Sequence, residues 1–374
     1  MKDCVIVSIS DVHLGHRKTP TKYILENINR FLLNDSIFQK LDILFIVGDF
    51  FDHLLELNYE YLPDIDICIA KIFKMCEKHN VMLYVLEGTP SHDRLQSERF
   101  VTIAQMLKSP VAFKYVKAIE TDYIPHLDCQ LLFIPDEISE THEETLSKVH
   151  ELMKAKGIDK FDIALMHGLF QYQVPQGFKI ASHDYKEYDA IINTAIFIGH
   201  HHTHSVYKKA IAQGSFDRLC HGDEIAKGFV KVQIKNNKAH TFFIENKNAY
   251  PYITIDCTDL EMQDVFVALN AIDSREDYHA YIRLQAPSTH PVIASFAEVA
   301  RTYQLLNLTK HIKEIQAVLQ ETATIEDDIE QYESIEITSS NILEIMMSRL
   351  LQRDLSQTQI QFLSNQLQEV HHVT

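Results

Sequence analysis

No stretch of the chain comes near the roughly 18 consecutive apolar residues that a bilayer-spanning helix needs, so the sequence offers no transmembrane segment. The N-terminus runs Met1-Lys2-Asp3-Cys4 into a short apolar segment, without the longer apolar region and small-residue cleavage site of a secretory leader. A cytoplasmic protein is the expectation, in a bacterium or, for a viral protein, in its host. CxxC is missing as well: Cys4, Cys68, Cys76, Cys129, Cys220 and Cys257 are scattered, which disfavours a disulfide framework and a zinc knuckle. Positive charge is scarce. Lys and Arg total 35 against 52 Asp and Glu, a net charge of −17, which argues against gripping nucleic acid by overall charge. Any affinity for DNA must then be local, metal-assisted or lent by a partner. There is no convincing internal repeat or low-complexity tract.

Histidine, by contrast, is abundant, with 21 in 374 residues, and it is the commonest side-chain ligand of transition metals. Its placement follows a pattern of short β-branched or apolar runs at 5–9, 43–47, 82–86, 131–134, 163–166 and 196–198, each ending in a polar loop. Helical periodicity lies between several of them, as in Tyr23, Ile24, Ile28, Phe31 and Leu32, or Ile65, Ile69, Ile72, Phe73 and Cys76. Strands alternating with helices imply a layered α/β core with ligands at the strand C-termini. From about residue 252 the pattern restarts as strand 252–257, helix 260–272, strand 279–284, helix 293–303 and strand 312–319. An acidic stretch at 321–336 breaks the periodicity, and helical segments at 340–351 and 356–370 follow it.

Five clusters of polar residues end predicted strands. Ser10-Asp11-Val12-His13-Leu14-Gly15 follows the first, where alternation sets Asp11 and His13 on one side of an extended segment, both in reach of one cation. Val47-Gly48-Asp49-Phe50-Phe51-Asp52-His53 follows the second, Gly48 permitting a tight turn that offers Asp49 at the strand end. Gly88-Thr89-Pro90-Ser91-His92-Asp93 ends 82–86, Met166-His167-Gly168 ends 163–166, and Gly199-His200-His201-His202-Thr203-His204 ends 196–198. Taken singly these are ordinary: a turn carboxylate capping a helix, a histidine on a surface or in a core. Five at successive strand ends require the same coincidence five times.

Phosphodiester hydrolysis explains the residue types. It needs charge neutralised on the phosphate and a hydroxide made near neutral pH, and two divalent ions about 3.5–4 Å apart supply both. A carboxylate between them is the natural role for Asp49. Imidazole and carboxylate mixtures suit Mn²⁺, Fe²⁺ or Zn²⁺, whereas Mg²⁺ alone recruits fewer histidines. Without thiolates, a structural zinc site is disfavoured.

The order D-x-H, GD-x-x-D, G…HD, H-G and G-H-x-H, spanning about residues 4 to 230, resembles the calcineurin-like metallophosphoesterase superfamily. Within it the chain is similar to the SbcD-type DNA-repair nuclease subunits. Asp11-Val12-His13-Leu14-Gly15 resembles that branch's DxHLG opening, Ile134-Pro135 its central strand ending, and Gly214-Ser215 with Lys227-Gly228-Phe229 its GS…KGF segment. The resemblance implies a layered β-sandwich flanked by helices with a small α/β capping domain and C-terminal helices. The boundaries are 1–248 for the nuclease domain, 249–320 for the DNA-capping domain, 321–338 for an acidic linker, and 339–374 for a helical segment docking an SbcC-type coiled-coil ATPase.

It also implies that Asp11, His13, Asp49 and His202 hold one metal and that Asp49, His167 and His200 hold the other, most simply two Mn²⁺, with Fe²⁺ or Mg²⁺ as alternatives. His92 would be the catalytic imidazole, Asp93 would orient its ring, and a water or hydroxide between the ions would attack. The family usually reads G-N-H-D; here Ser91 stands before His92 and Asp93, so Ser91 takes the position of the Asn ligand, with a poorer donor. His53 follows Asp52 where some relatives carry a helper histidine. Arg17, Arg94, Lys208, Arg218 and Lys227 are the candidate DNA contacts, and the resemblance implies a homodimer paired through the helical faces at 59–79 and 94–107. Two rival functions remain: a phosphatase of the same superfamily acting on a non-DNA phosphoester, and a catalytically weak binding scaffold.

Overall fold

A computed structural model of the chain describes residues 1–136, 141–174, 180–272 and 279–313. The chain divides into two units, Met1–Ile315 and Gln316–Thr374; the second, with the expected linker and C-terminal helices, lies outside the described residues. Among the described residues the first unit carries fifteen strands: β1 (Cys4–Ile9), β2 (Ile43–Val47), β3 (Met82–Leu86), β4 (Phe113–Val116), β5 (Glu120–Ile124), β6 (Cys129–Ile134), β7 (Phe161–His167), β8 (Ile192–Gly199), β9 (Ser205–Tyr207), β10 (Ala210–Ala212), β11 (Gly228–Lys235), β12 (Lys238–Glu245), β13 (Tyr252–Asp256), β14 (Tyr281–Pro287) and β15 (Asn307–Lys313).

These form an α/β protein with two six-stranded mixed sheets, ordered β12-β11-β1-β2-β3-β4 and β5-β6-β7-β8-β10-β9, and a three-stranded sheet β13-β14-β15. Strands β1 to β4 run parallel in the first sheet, as do β6, β7, β8 and β10 in the second. Both faces of the inner strands are covered, which is why their sequences are mainly apolar, whereas the edge strand β4 is only partly buried. In β2, Ile43, Phe45 and Val47 meet Phe133, Leu165 and Phe197 of the other sheet, while Leu44 and Ile46 face the helices. Those helices are Thr21–Asn27, continued by a π-helical turn Ile28–Leu32, and Leu62–His79, whose Ile65, Ile69, Ile72 and Phe73 fill the same core as Phe100 of helix Glu98–Leu107. On the far side, Leu132, Met166 and Ile198 pack against Val149 and Met153 of helix His142–Lys156 and Tyr188 of helix Tyr185–Ile191. The result is helices, sheet, sheet, helices. Among the described residues no helix is long and apolar enough to cross a membrane.

The third sheet is parallel throughout and packs Ile282 and Leu284 against Val265, Leu269, Val292 and Val299 of its helices. It is tied to the larger core by Tyr252, whose hydroxyl meets Thr19 Oγ1 at 3.2 Å, and by Thr254, which donates to Glu224 at 2.6 Å. Residues 314–319 of the strand expected at 312–319 lie outside the described residues, and the strand at Asn307–Lys313 pairs with β14 from Asn307 onward, earlier than the expected start at 312. This is an edge strand with largely exposed residues, so the apolar alternation that marks a strand is thin there. The helix expected at 293–303 is interrupted at Ser295 into Pro291–Ala294 and Phe296–Thr302.

Between the large sheets, the Phe45 ring meets Phe197 edge-on at 5.3 Å and Tyr84 at 5.9 Å, while Tyr84 stacks on Phe133. Phe197→Ala would open a void at the centre of this layer, and it should lower unfolding free energy by about 3–5 kcal/mol in denaturant titrations. A loss under about 1 kcal/mol would mean the layer collapses around the gap.

Candidate metal centre

Parallel strands ordered side by side deliver their C-terminal loops to one edge, and β1, β2, β3, β7 and β8 do so here. The loops after β1 and β2 are zipped together: Asp11 N donates to Gly48 O at 3.1 Å, Val12 N and His13 N to Asp49 O at 2.9 and 3.0 Å, and Leu14 N to Phe50 O at 3.0 Å. Asp11, His13 and Asp49 all take left-handed backbone conformations, with φ of 51°, 53° and 48°. Such conformations cost free energy in non-glycine residues and gather at functional sites. Gly48, with φ of 76°, leaves no room for a Cβ, which would run into the His167 ring and Gly88. That close approach lets the loops of the two sheets meet.

The side chains converge in three groups, within each of which the ligand atoms lie within 4.8 Å of one another: Asp11, His13 and His202; His13, Asp52 and His92; and Asp49, His167 and His200, the first two sharing His13. Asp49, 2% exposed, sits between the first and last. Its Oδ2 is 3.3 Å from His167 Nε2 and 3.9 Å from His13 Nε2. His13 Nε2 is 3.3 Å from His202 Nε2, and His202 Nε2 is 3.8 Å from Asp11 Oδ1. The other ring nitrogens are anchored: His167 Nδ1 donates to Val47 O at 3.0 Å, which turns its Nε2 into the pocket, and His13 Nδ1 meets Asp52 Oδ1 at 3.2 Å. Asp11 accepts from His200 N with both oxygens, at 3.0 and 3.1 Å, fixing the loop that carries His200 and His202. Carboxylates and imidazoles without thiolates make a donor set that can bind a metal ion.

The electrostatics follow from crowding and burial. Burial weighs most on Asp49 and opposes its charge, but His167, His13 and His92 outweigh it and hold the carboxyl well below its usual range. Burial likewise opposes charge on His167, yet Asp49 beside it lifts that imidazole to about 10; Asp52, Asp49 and Asp11 raise His13 in the same way. His202, without so close a carboxylate, is pushed down to about 4 by burial, and His200 is lowered for the same reason.

Several expectations need correction. Ser91 is exposed and takes no part in the pocket; the side chain in its place is Thr89, buried against Asp49. The two residues Pro90 and Ser91 form an exposed bulge between Thr89 and His92, which motif matching counted backward from His92 does not detect. Asp93 does not orient His92. It is fully buried, accepting from Phe51 N at 2.9 Å and Gly88 N at 2.8 Å, so it braces the backbone of two site loops. Burial, with Asp49 and Glu87 nearby, pushes its carboxyl up to about 8. The carboxylate that does orient a site imidazole is Asp52, which binds His13 and also meets His53 Nδ1 at 3.3 Å. His53 therefore stands behind Asp52, half-buried, rather than among the converging groups. His92 lies at the rim with its side chain 35% exposed, its Nδ1 3.2 Å from His13 Nδ1 and 3.8 Å from Asp49 Oδ2.

Of the expected DNA contacts, Arg17 and Arg94 are exposed. Lys227 is not available: at 1% exposure its ammonium pairs with Asp223 and donates to His202 O at 2.8 Å. Arg218 is spent on the carbonyls of Ile225 and Ala249, at 3.3 and 3.2 Å. Lys208 lies over the rings of Tyr185 and Tyr207 at the β9–β10 hairpin. A further group missed by the strand-end search is Asp136, which follows β6 and lines a cavity of about 250 Å³ with Thr89, His142, His183 and His200.

No protein-family model matches the chain, and no curated protein matches it. Among solved structures, TT1561 of Thermus thermophilus aligns with a TM-score of 0.39 at 14% identity, over 65% of this chain and 100% of its own. A second crystal structure aligns with a TM-score of 0.39 at 11% identity, over 65% of this chain and 99% of its own.

Two outcomes are expected from this geometry. Lys227→Met leaves Asp223 buried without its cation, so the variant should lose about 3–5 kcal/mol in chemical denaturation; a stable variant would show that the pair is dispensable. Cation binding must displace the protons that His13 and His167 hold in a cation-free pocket, so affinity should climb as pH rises from about 6 to 8, with protons released on binding. Calorimetry in buffers of different ionisation enthalpy measures that release, and a pH-independent affinity would contradict it.

Proposed function

We propose that the chain is a metal-dependent phosphodiesterase acting on DNA, built on a calcineurin-like core and working as the nuclease subunit of an SbcC–SbcD-type end-processing complex. The observation that carries this reading is the meeting of Asp11, His13, Asp49, His167, His200 and His202, drawn from loops of two sheets, around one buried carboxylate. Motif order and the DxHLG and KGF segments support the narrower branch.

In this reading Asp11, His13, Asp49 and His202 hold one cation, and Asp49, His167 and His200 the other. When bound, a pair of divalent ions, Mn²⁺ by its fit to mixed carboxylate and imidazole donors, neutralises the phosphate and acidifies water. The chain supplies the rest. Asp52 fixes the His13 ring so that Nε2 faces inward. Val47 O does the same for His167. His92, at the open rim, is placed to hold a proton for the departing oxygen. Exposed Arg17 and Arg94 remain to meet the phosphate backbone, which suits a chain of net charge −17 that has to concentrate its positive field locally.

The test is Mn²⁺-dependent cleavage of single- and double-stranded DNA, with an aryl phosphate monoester assayed alongside. His92→Ala should slow DNA cleavage by about 10²–10⁴-fold, and Asp49→Ala or chelation should abolish it. Monoester turnover without DNA cleavage would favour a phosphatase; no turnover of either substrate and no bound metal would favour a scaffold.

A further inference from the structure

We infer that the Thr89 hydroxyl completes the second cation position, the one bounded by Asp49, His167 and His200, and that this makes it the weaker, later-filled position of the two. The inference rests on the two-cation reading above. Thr89 Oγ1 is 3.1 Å from Asp49 Oδ2, 3.3 Å from His167 Nε2 and 3.2 Å from His200 Nδ1. With metal–ligand bonds of about 2.1 Å, neighbouring ligands of an octahedron are about 3.0 Å apart and those of a tetrahedron about 3.4 Å. All three spacings fall in that interval, as does the 3.3 Å between Asp49 Oδ2 and His167 Nε2. Oγ1 is therefore spaced from the three side chains as a fourth ligand of one cation would be.

The backbone holds it there. Thr89 N donates to Asp49 Oδ1 at 2.6 Å, and Thr89 O accepts from His92 N and Asp93 N at 2.8 and 3.1 Å, closing the turn that lifts Pro90 and Ser91 to the surface. Position and orientation of the hydroxyl are thus fixed before any cation arrives. The donor sets are unequal. The first position has two carboxylates, Asp11 and Asp49, and two imidazoles. The second has the shared Asp49, two imidazoles and a neutral hydroxyl, which donates to Asp49 Oδ2 and would offer a cation only a lone pair of an uncharged oxygen. Less negative charge and a weaker oxygen donor lower affinity at the second position.

The experiment titrates chelator-stripped full-length protein with Mn²⁺, following free and bound ion by electron paramagnetic resonance. The parent should show a tight and a weak class of site, separated by about tenfold or more, and a spin-coupled signal that grows with the weak class. Thr89→Val, nearly isosteric but without the hydroxyl, should weaken only that class by about tenfold or more and remove the coupled signal. Thr89→Ser should bind as the parent does, showing that the hydroxyl and not the fold is responsible, and Ser91→Ala should change nothing. Two equal sites in the parent, unchanged weak binding in Thr89→Val, or loss of binding in Ser91→Ala would each overturn the inference alone. A parent that binds no Mn²⁺ would overturn the two-cation reading and this inference with it.

Discussion

A single buried carboxylate organises the centre. Asp49 leaves β2 in a left-handed conformation at the seam of two sheets, almost without exposure. An isolated carboxylate there would be costly to keep ionised, and the surroundings are arranged to prevent that. Thr89 N and Oγ1 donate to it, and His167, His13 and His92 bring imidazoles within 3.9 Å. Each partner belongs to a different loop or a different turn of one. The charge of Asp49 is thus satisfied only when the loops after β1, β2, β3 and β7 are all in place, so the fold and the site depend on the same contact.

The chain's own histidines can occupy part of the electrostatic role of a cation. His167 is held protonated by Asp49, and His13 is raised by three carboxylates, while His200 and His202 are kept neutral by burial. Carboxylate and imidazole charges thus offset one another in the pocket. An ion bound here would exchange protons for metal at His167 and His13, whose Nδ1 atoms are already held by Val47 O and Asp52. The left-handed residues Asp11, His13 and Asp49 fit this picture: the strain is held by main-chain bonds between the loops rather than relieved.

Sequence reading located the strands that bear the site because they are buried on both faces and appear as unbroken apolar runs ending in Asp or His. It failed where geometry depends on loop length. Ser91 looked like the residue beside His92, but a two-residue bulge moves it into solvent and puts Thr89 next to Asp49. Asp93 looked like a partner of the neighbouring imidazole, yet two backbone amides claim its oxygens. Short strands such as β4, β5 and β9 were not marked, since three to five residues of mixed polarity carry little periodic signal, and β10 is only three residues long. Cations were the hardest to read, because nothing in a lysine's letter says whether it faces water.

That last error bears on how a chain of net charge −17 can meet an anionic polymer. With Lys227 locked onto Asp223 and His202 O, and Arg218 onto carbonyls, two of the cations expected to touch DNA support the architecture of the centre instead of lining a groove. Lys227 acts on the site indirectly, by holding the main chain of a candidate ligand. If the chain acts on DNA as proposed, the positive field at the phosphate would come mainly from bound divalent ions, with exposed Arg17 and Arg94 contributing at the surface. Long-range attraction of DNA would be weak in such a design, and attraction close to a bound metal would be strong. Under the proposed function, discrimination would be the consequence: a phosphate would be held near bound ions, and DNA elsewhere on the acidic surface would be repelled.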